Sequence, residues 1–161
     1  MSNPFAAVAS DLGRTVAQAK PLLEKLNNAD TSARPNPAKW SKKEILGHLL
    51  DSASNNHQRF VRAALQGTLV FPGYEQDPLV ELQRFKEVDW SFLVDFWANY
   101  NRFIAHVING LPAETATVTC AIGENPPATL EQIAQDYVAH LKHHLNQILG
   151  KTFSTTYGTT V

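Results

Sequence analysis

Residues 40–67 read WSKKEILGHLLDSASNNHQRFVRAALQG, and their opening decides how the rest is taken. Ser41 suits an N-cap whose hydroxyl accepts from the amide three residues on. Glu44 stands at that third position and reaches back to the Ser41 amide, while Trp40 and Ile45 flank the pair as a hydrophobic staple. A helix so begun runs to about Gln66, where Gly67 supplies the stop. A helix this long cannot hide its apolar side alone, so it needs partner helices.

Three further stretches supply them. From Pro4 to Leu26, Phe5, Val8, Leu12, Val16, Ala19, Leu22, Leu23 and Leu26 recur at three- and four-residue steps. Asn27 and Asn28 then lead into a loop, ADTSARPNPAK, whose two prolines forbid helix continuation. From Asp89 to Asn109, Leu93, Phe96, Trp97, Tyr100, Phe103, Ile104 and Val107 form a wide aromatic stripe, ended by Gly110 and Pro112. From Thr129 to Leu149, Leu130, Ile133, Ala134, Tyr137, Leu141, Leu145 and Ile148 share one side, with Thr129 and Gln132 as a second capping box and Gly150 as the stop.

The fold class expected is all-α, a four-helix bundle in a single domain over residues 1–150. Two long connections leave the helix order open. Residues 67–88 are expected to hold a short helix with Asp77 as N-cap and Pro78 at N1. Residues 111–127 contain TATVTC, a β-branched run suited to an extended piece. The tail, 151–161, lacks periodicity and is expected to fray.

Composition narrows the function classes. The 161 residues carry 14 Lys+Arg against 15 Asp+Glu, a net charge of −1, which offers no general footprint for nucleic acid or an anionic membrane. No apolar run reaches the roughly 18 residues of a membrane span, and the first 20 residues lack the pattern of a secretory signal. A cytoplasmic protein is expected. Cys120 is the one cysteine, beside six histidines. An internal disulfide and a thiolate zinc knuckle are therefore excluded. No HExxH, Glu-x-x-His, Walker A, GxGxxG or GxSxG motif occurs.

His140 and His144 are four apart on the last helix, so both imidazoles face one side, at the edge of its apolar stripe. Neutral imidazoles so placed can share a metal ion or serve as ordinary boundary histidines. His48 is a possible third ligand, in phase with Ile45, Leu49 and Ser52. A polar line continues from it through Asp51, Ser52, Asn55 and Arg59, which is costly on a buried side unless the groups are partnered. His57, His106 and His143 fall out of phase and read as surface or boundary residues. Cys120 reads as a small buried hydrophobe.

Trp40-Ser41-x-x-Glu44-Ile45-Leu46-Gly47-His48-Leu49-x-Asp51-Ser52, Pro72-x-Tyr74-x-x-Asp77 and Tyr137-x-x-His140-x-x-x-His144 together resemble the DinB/YfiT-like superfamily, over about residues 5–150. The resemblance implies a four-helix bundle holding one divalent ion, zinc or nickel foremost, on His48, His140 and His144. Three protein ligands with open positions follow the pattern of catalytic sites. Several members of the family are similar to thiol S-transferases that use a bacterial low-molecular-weight thiol, and a related branch is similar to mycothiol-dependent maleylpyruvate isomerases.

The reading that follows is a metal-dependent S-transferase acting on small electrophiles. An ion with open positions lowers the pKa of a bound thiol or water. Asp51 and Asn55 are candidates to support the ligands or contact substrate, Arg59 to hold an anionic group, and Tyr74 to close over the site. Tyr137 reads as core. Two alternatives stand beside it: a non-catalytic metal-binding homodimer associating through the aromatic stripe of the third helix, and a metal-dependent hydrolase. The partners expected are a small-molecule substrate and a second copy of the chain in a homodimer, with neither nucleic acid nor membrane.

Overall fold

The computed structural model describes residues 3–157. In chain order the elements are α1 (Pro4–Leu23), α2 (Asn28–Ser32), α3 (Lys42–Gln66), β1 (Leu69–Phe71), α4 (Gln76–Gln83), α5 (Trp90–Asn109), β2 (Thr119–Ile122), β3 (Ala128–Thr129) and α6 (Leu130–Leu149), with 3-10 turns at Phe85–Glu87 and Ala113–Thr117.

Both capping boxes form. At α3 the Ser41 amide donates to Glu44 Oε2 (2.8 Å) and the Glu44 amide to Ser41 Oγ (3.3 Å). Arg34 adds two further bonds to the same carboxylate, at 2.9 and 2.5 Å. Gly67 closes α3 at φ +75°, a left-handed conformation that favours glycine. Thr129 and Gln132 make the equivalent box at α6. Asp89 caps α5 by accepting from the Phe92 amide.

The bundle order is not the order of the chain. Each of α1 and α3 packs against both α5 and α6, so α1 and α3 stand on opposite corners, as do α5 and α6. Only the α3–α5 connection joins neighbouring long helices. The core runs along the centre, with Phe5, Leu12, Leu46, Leu49, Phe60, Trp97, Ile104, Leu130, Leu141 and Leu145 all buried. Each such side chain contributes about 1.5–3 kcal/mol by leaving water. Trp90 ties the start of α5 to the end of α1, its indole Nε1 donating to the Leu23 carbonyl at 2.8 Å.

Several expectations change. Helix α1 ends at Leu23 rather than Leu26, and Asn27 caps the short α2 by accepting from the Asp30 amide at 2.7 Å. Helix α4 starts at Gln76, so Asp77 and Pro78 sit inside its first turn instead of capping it; the missing amide of Pro78 costs nothing there because no intrahelical partner exists. The α5 stripe is divided. Leu93, Trp97 and Ile104 are buried, but Phe96 and Phe103 stay about half exposed, at 48% and 51%, because they lie at the outer edge of the buried arc.

Over the residues described, the tail is hydrogen-bonded to α6. Asn146 Oδ1 accepts from the Thr152 and Phe153 amides, and Thr155 Oγ1 donates to the Ala139 carbonyl. Residues 158–161 of that tail lie outside the described residues.

The extended piece expected near TATVTC is β2, part of a three-stranded sheet ordered β1-β2-β3. Strands β1 and β2 run parallel, with Leu69 opposite Cys120 and Phe71 opposite Ile122. Beyond that pair the Gly123 amide donates to the Phe71 carbonyl at 2.9 Å. A Cβ on Gly123, whose φ is +55°, would stand 3.1 Å from the Gly73 nitrogen. This close backbone approach holds Tyr74 beside the bundle.

Candidate metal centre

Helices α3 and α6 are direct neighbours, so the line of α3 that begins at His48 faces the His140–His144 side of α6. His48 is fully buried and His140 nearly so, while His144 is half-buried. His48 Nε2 and His140 Nε2 lie 3.1 Å apart. The rings of His48 and His140 are each within 5 Å of the His144 ring, at 4.7 and 4.5 Å between centroids. One ligand nitrogen from each of the three lies within 4.8 Å of the others.

The residues fit a divalent ion. Metal–nitrogen bonds of about 2.0–2.1 Å in tetrahedral geometry set ligand nitrogens roughly 3.3 Å apart, close to the His48–His140 spacing. His144 Nδ1 lies 2.8 Å from Gln147 Oε1. An oxygen accepts, so Nδ1 carries the proton and Nε2 keeps its lone pair for a ligand role. His48 Nδ1 is buried without a partner. Burial, reinforced by His144, lowers the His48 imidazole to about 4. Burial, then His144, His48 and His143, lower His140 to about 3. Burial also lowers His144. All three are thus neutral at neutral pH, the form in which imidazole binds metals. Trp40 walls the cluster, its ring 5.0 Å from that of His48.

Two cavities meet the cluster from different sides. His140 lines one of about 530 Å³, together with Ser52, Asn56, Arg59, Tyr74 and Asp136. His144 lines another of about 540 Å³, with Trp40, Ile45, Pro35 and Ala38 among its walls. In the first, Ser52 Oγ stands 3.5 Å from His140 Nδ1, Asn56 Nδ2 donates to Ser52 Oγ at 3.3 Å, and Arg59 Nη1 donates to Asn56 Oδ1 at 3.4 Å.

The family model described as the DinB superfamily matches residues 11–148. The chain belongs to the DinB superfamily. The solved structure of YfiT from Bacillus subtilis, described as a probable metal-dependent hydrolase with an unusual four-helix bundle topology, aligns with this DinB-superfamily chain at a TM-score of 0.80. The match covers 92% of this chain and 86% of that one at 20% identity, which establishes a shared fold. No curated protein sequence matches the chain.

Within this DinB-superfamily bundle the sequence-predicted residues divide. Arg59 and Tyr74 line the cavity beside His140. Burial pushes the Tyr74 phenol up, against the pull of Arg59. Asp51 and Asn55 do not line it. Asp51 is buried, and its Oδ1 accepts from Gln83 Nε2 of α4 at 2.6 Å, while its Oδ2 is buried and unpaired. Burial raises the Asp51 carboxyl, and Gln83 opposes that rise. Asn55 spends its amide on the Asp51 carbonyl. Its neighbour Asn56 takes the cavity position, four residues on from Ser52 and so on the side of the helix that Ser52 turns to the cavity.

Asp136 and Tyr157 also line the cavity and were missed. Asp136 carried a usable signal, four residues before His140. Solvent reaches its outer side, yet the surrounding protein raises its carboxyl pKa. Tyr157 carried none, being on an aperiodic tail; its ring lies 5.0 Å from that of His140.

The remaining candidates stay out of the cluster. His57 faces Tyr100, with Nδ1 3.1 Å from the phenol oxygen, and His106 stacks on Phe103. His143 is half-buried rather than turned to solvent, and flanks His144 with its Nε2 3.3 Å from Gln147 Nε2. Tyr137 donates to Asn101 Oδ1 at 2.5 Å and packs on Phe60. Cys120 is buried, its thiol directed at the Val118 carbonyl and raised by burial, which makes it a poor nucleophile. Among the described residues no helix is long and apolar enough to cross a membrane.

Proposed function

We propose that this protein is a metal-dependent enzyme that transfers a low-molecular-weight thiol to small electrophiles, with a zinc or nickel ion held by His48, His140 and His144. The observation that carries the reading is the position of the histidine cluster between two cavities, one bordered by His140 and the other by His144. A two-substrate reaction needs access of this kind. When bound, a divalent ion with open positions lowers the pKa of a coordinated thiol or water and so supplies a nucleophile at neutral pH.

The chain's own groups do the rest. Burial keeps the imidazoles unprotonated, and Gln147 fixes the tautomer of His144. The cavity beside His140 is polar, with Ser52, Asn56 and Arg59 along α3, and suits the thiol substrate. The cavity beside His144 has Trp40, Ile45, Pro35 and Ala38 for an apolar electrophile. In the transfer a C–S bond forms as the bond to the leaving group breaks, and the thiol proton passes to solvent or to that group. No protein thiol is required, in keeping with the buried Cys120.

Hydrolysis is the second reading. Asp136 supports it, because a carboxyl of raised pKa one turn before His140 can accept a proton from water. The description of YfiT as a hydrolase supports the same reading. Kinetics separate the two. The protein reloaded with one equivalent of zinc or nickel is assayed with a thiol and an electrophile panel, and in parallel with an ester and amide panel lacking thiol. Thiol-dependent turnover that disappears in His140→Ala/His144→Ala is expected. Turnover confined to the thiol-free panel establishes hydrolysis instead, and no turnover in either overturns both readings.

A further inference from the structure

We propose that the cavity between His140 and Arg59 takes an elongated small molecule whose far end carries a carboxylate, phosphate or similar anion seated on Arg59. The proposal rests on the reading of the histidine cluster as the reacting end.

Arg59 is half-buried, yet among the described residues no carboxylate lies within 4.0 Å of it. Its contacts are one long bond from Nη1 to Asn56 Oδ1, at 3.4 Å, and the face of Phe71, 5.4 Å from the guanidinium carbon. Its Nε is buried without a partner. Arg34 shows what this fold does elsewhere with a partly buried guanidinium: it places two donors on the Glu44 carboxylate. A desolvated cation with one long bond and no charged partner is costly, and a planar donor set left open toward a cavity matches an oxyanion. Asp136 borders the same cavity but makes no ion pair with Arg59.

Spacing on the helix supplies a ruler. His48 and Arg59 are eleven residues apart, about 16 Å along the axis at 1.5 Å per residue. Arg59 Nη1 reaches back to Asn56, three residues earlier, so the guanidinium sits short of that full distance. Ser52 and Asn56 occupy the turns between and line the cavity along the middle of the ligand. A bare phosphate or acetate is too short to reach both ends. The cavity of about 530 Å³ accommodates one small molecule.

The test compares mercaptooctanoate with the matched neutral mercaptooctanol and the short mercaptopropionate. Each is titrated calorimetrically into metal-free and cobalt-loaded protein, with the cobalt–thiolate absorption band recorded in the loaded samples. Mercaptooctanoate is expected to bind at least about tenfold more tightly than the alcohol and than mercaptopropionate. Arg59→Gln abolishes the acid–alcohol difference and Arg59→Lys restores part of it, which also guards against loss through misfolding. An acid–alcohol difference that survives in Arg59→Gln overturns the anion seat. Equal affinity for the short and long acids overturns the ruler. Failure of any thiol to produce the cobalt band counts against the metal reading alone, because the acid–alcohol comparison on metal-free protein still decides the role of Arg59.

Discussion

His48 Nε2 and His140 Nε2 face one another at 3.1 Å across the α3–α6 interface, both on buried rings. Protonating either ring inside the protein is unfavourable, since folded values of about 4 and about 3 stand against an ordinary 6.5. Between those values the unfolded chain binds more protons than the folded one, so stability is full above about pH 6.5 and falls as the pH drops toward 4 and 3. Chemical denaturation of the metal-free protein at pH 7 and pH 5 is expected to show a loss of about 3 kcal/mol from the pair. In His48→Ala/His140→Ala that slope is largely gone. A metal-free wild type equally stable at both pH values contradicts the buried neutral pair.

Glu44 gives a second acid-sensitive element in a lower window. Burial alone would raise its carboxyl, but Arg34 and the Ser41 cap outweigh it and bring the value down to about 2. Its folded value is depressed, so its contribution is present above about 4.5 and lost as the pH falls toward 2. Arg34→Ala leaves the carboxylate with its Ser41 bonds alone. An increase in denaturant sensitivity of about 1–2 kcal/mol at pH 7 is expected, discounted for the water around Arg34, with a much smaller effect near pH 2. A variant that matches wild type at pH 7 assigns no weight to the pair.

Gly47 precedes His48 and sits against Phe85; a Cβ there would overlap the Phe85 ring. Helix propensity favours alanine at this position by about 1 kcal/mol. Displacing the buried ring costs about 1–3 kcal/mol, so Gly47→Ala is expected to lower the thermal midpoint despite the gain in propensity. A raised midpoint shows that Phe85 yields freely.

Ser52 stands between His140 Nδ1 and Asn56, at 3.5 and 3.3 Å. Partners of this type orient a ligand imidazole without touching the ion, and their loss costs about 10–100-fold in metal affinity. Ser52→Ala is expected to weaken zinc binding within that range, measured by competition with a chromophoric chelator, while its thermal midpoint without metal stays near wild type. Unchanged affinity assigns His140 its orientation by packing alone.

The features legible in the sequence were the local ones. Ser41 with Glu44 and Thr129 with Gln132 satisfy helix-start amides within four residues, so each box is visible without tertiary knowledge. The pairing of His140 with His144 follows from the helical period. Distant pairings were not legible: β1 meets β2 across the whole of α5, and α1 and α3 occupy opposite corners because of contacts no local pattern encodes. Asp77–Pro78 offered a plausible cap, but a helix tolerates Pro throughout its first turn, so the start moved to Gln76. Asn55 and Asn56 differ by one residue, about 100° of helix, and that step separates a residue beside Asp51 from one in the cavity. Tyr157 reaches His140 only because Asn146 and Ala139 bind the aperiodic tail.

Metal stoichiometry tests the central claim, that His48, His140 and His144 form one divalent site. The protein is stripped with chelator, reloaded with zinc, desalted and measured by elemental analysis beside His140→Ala/His144→Ala, with circular dichroism confirming that both are helical. One equivalent per chain in the wild type and under about a tenth in the variant is the result predicted. Less than about a tenth in the wild type, or a full equivalent retained by the folded variant, contradicts the site.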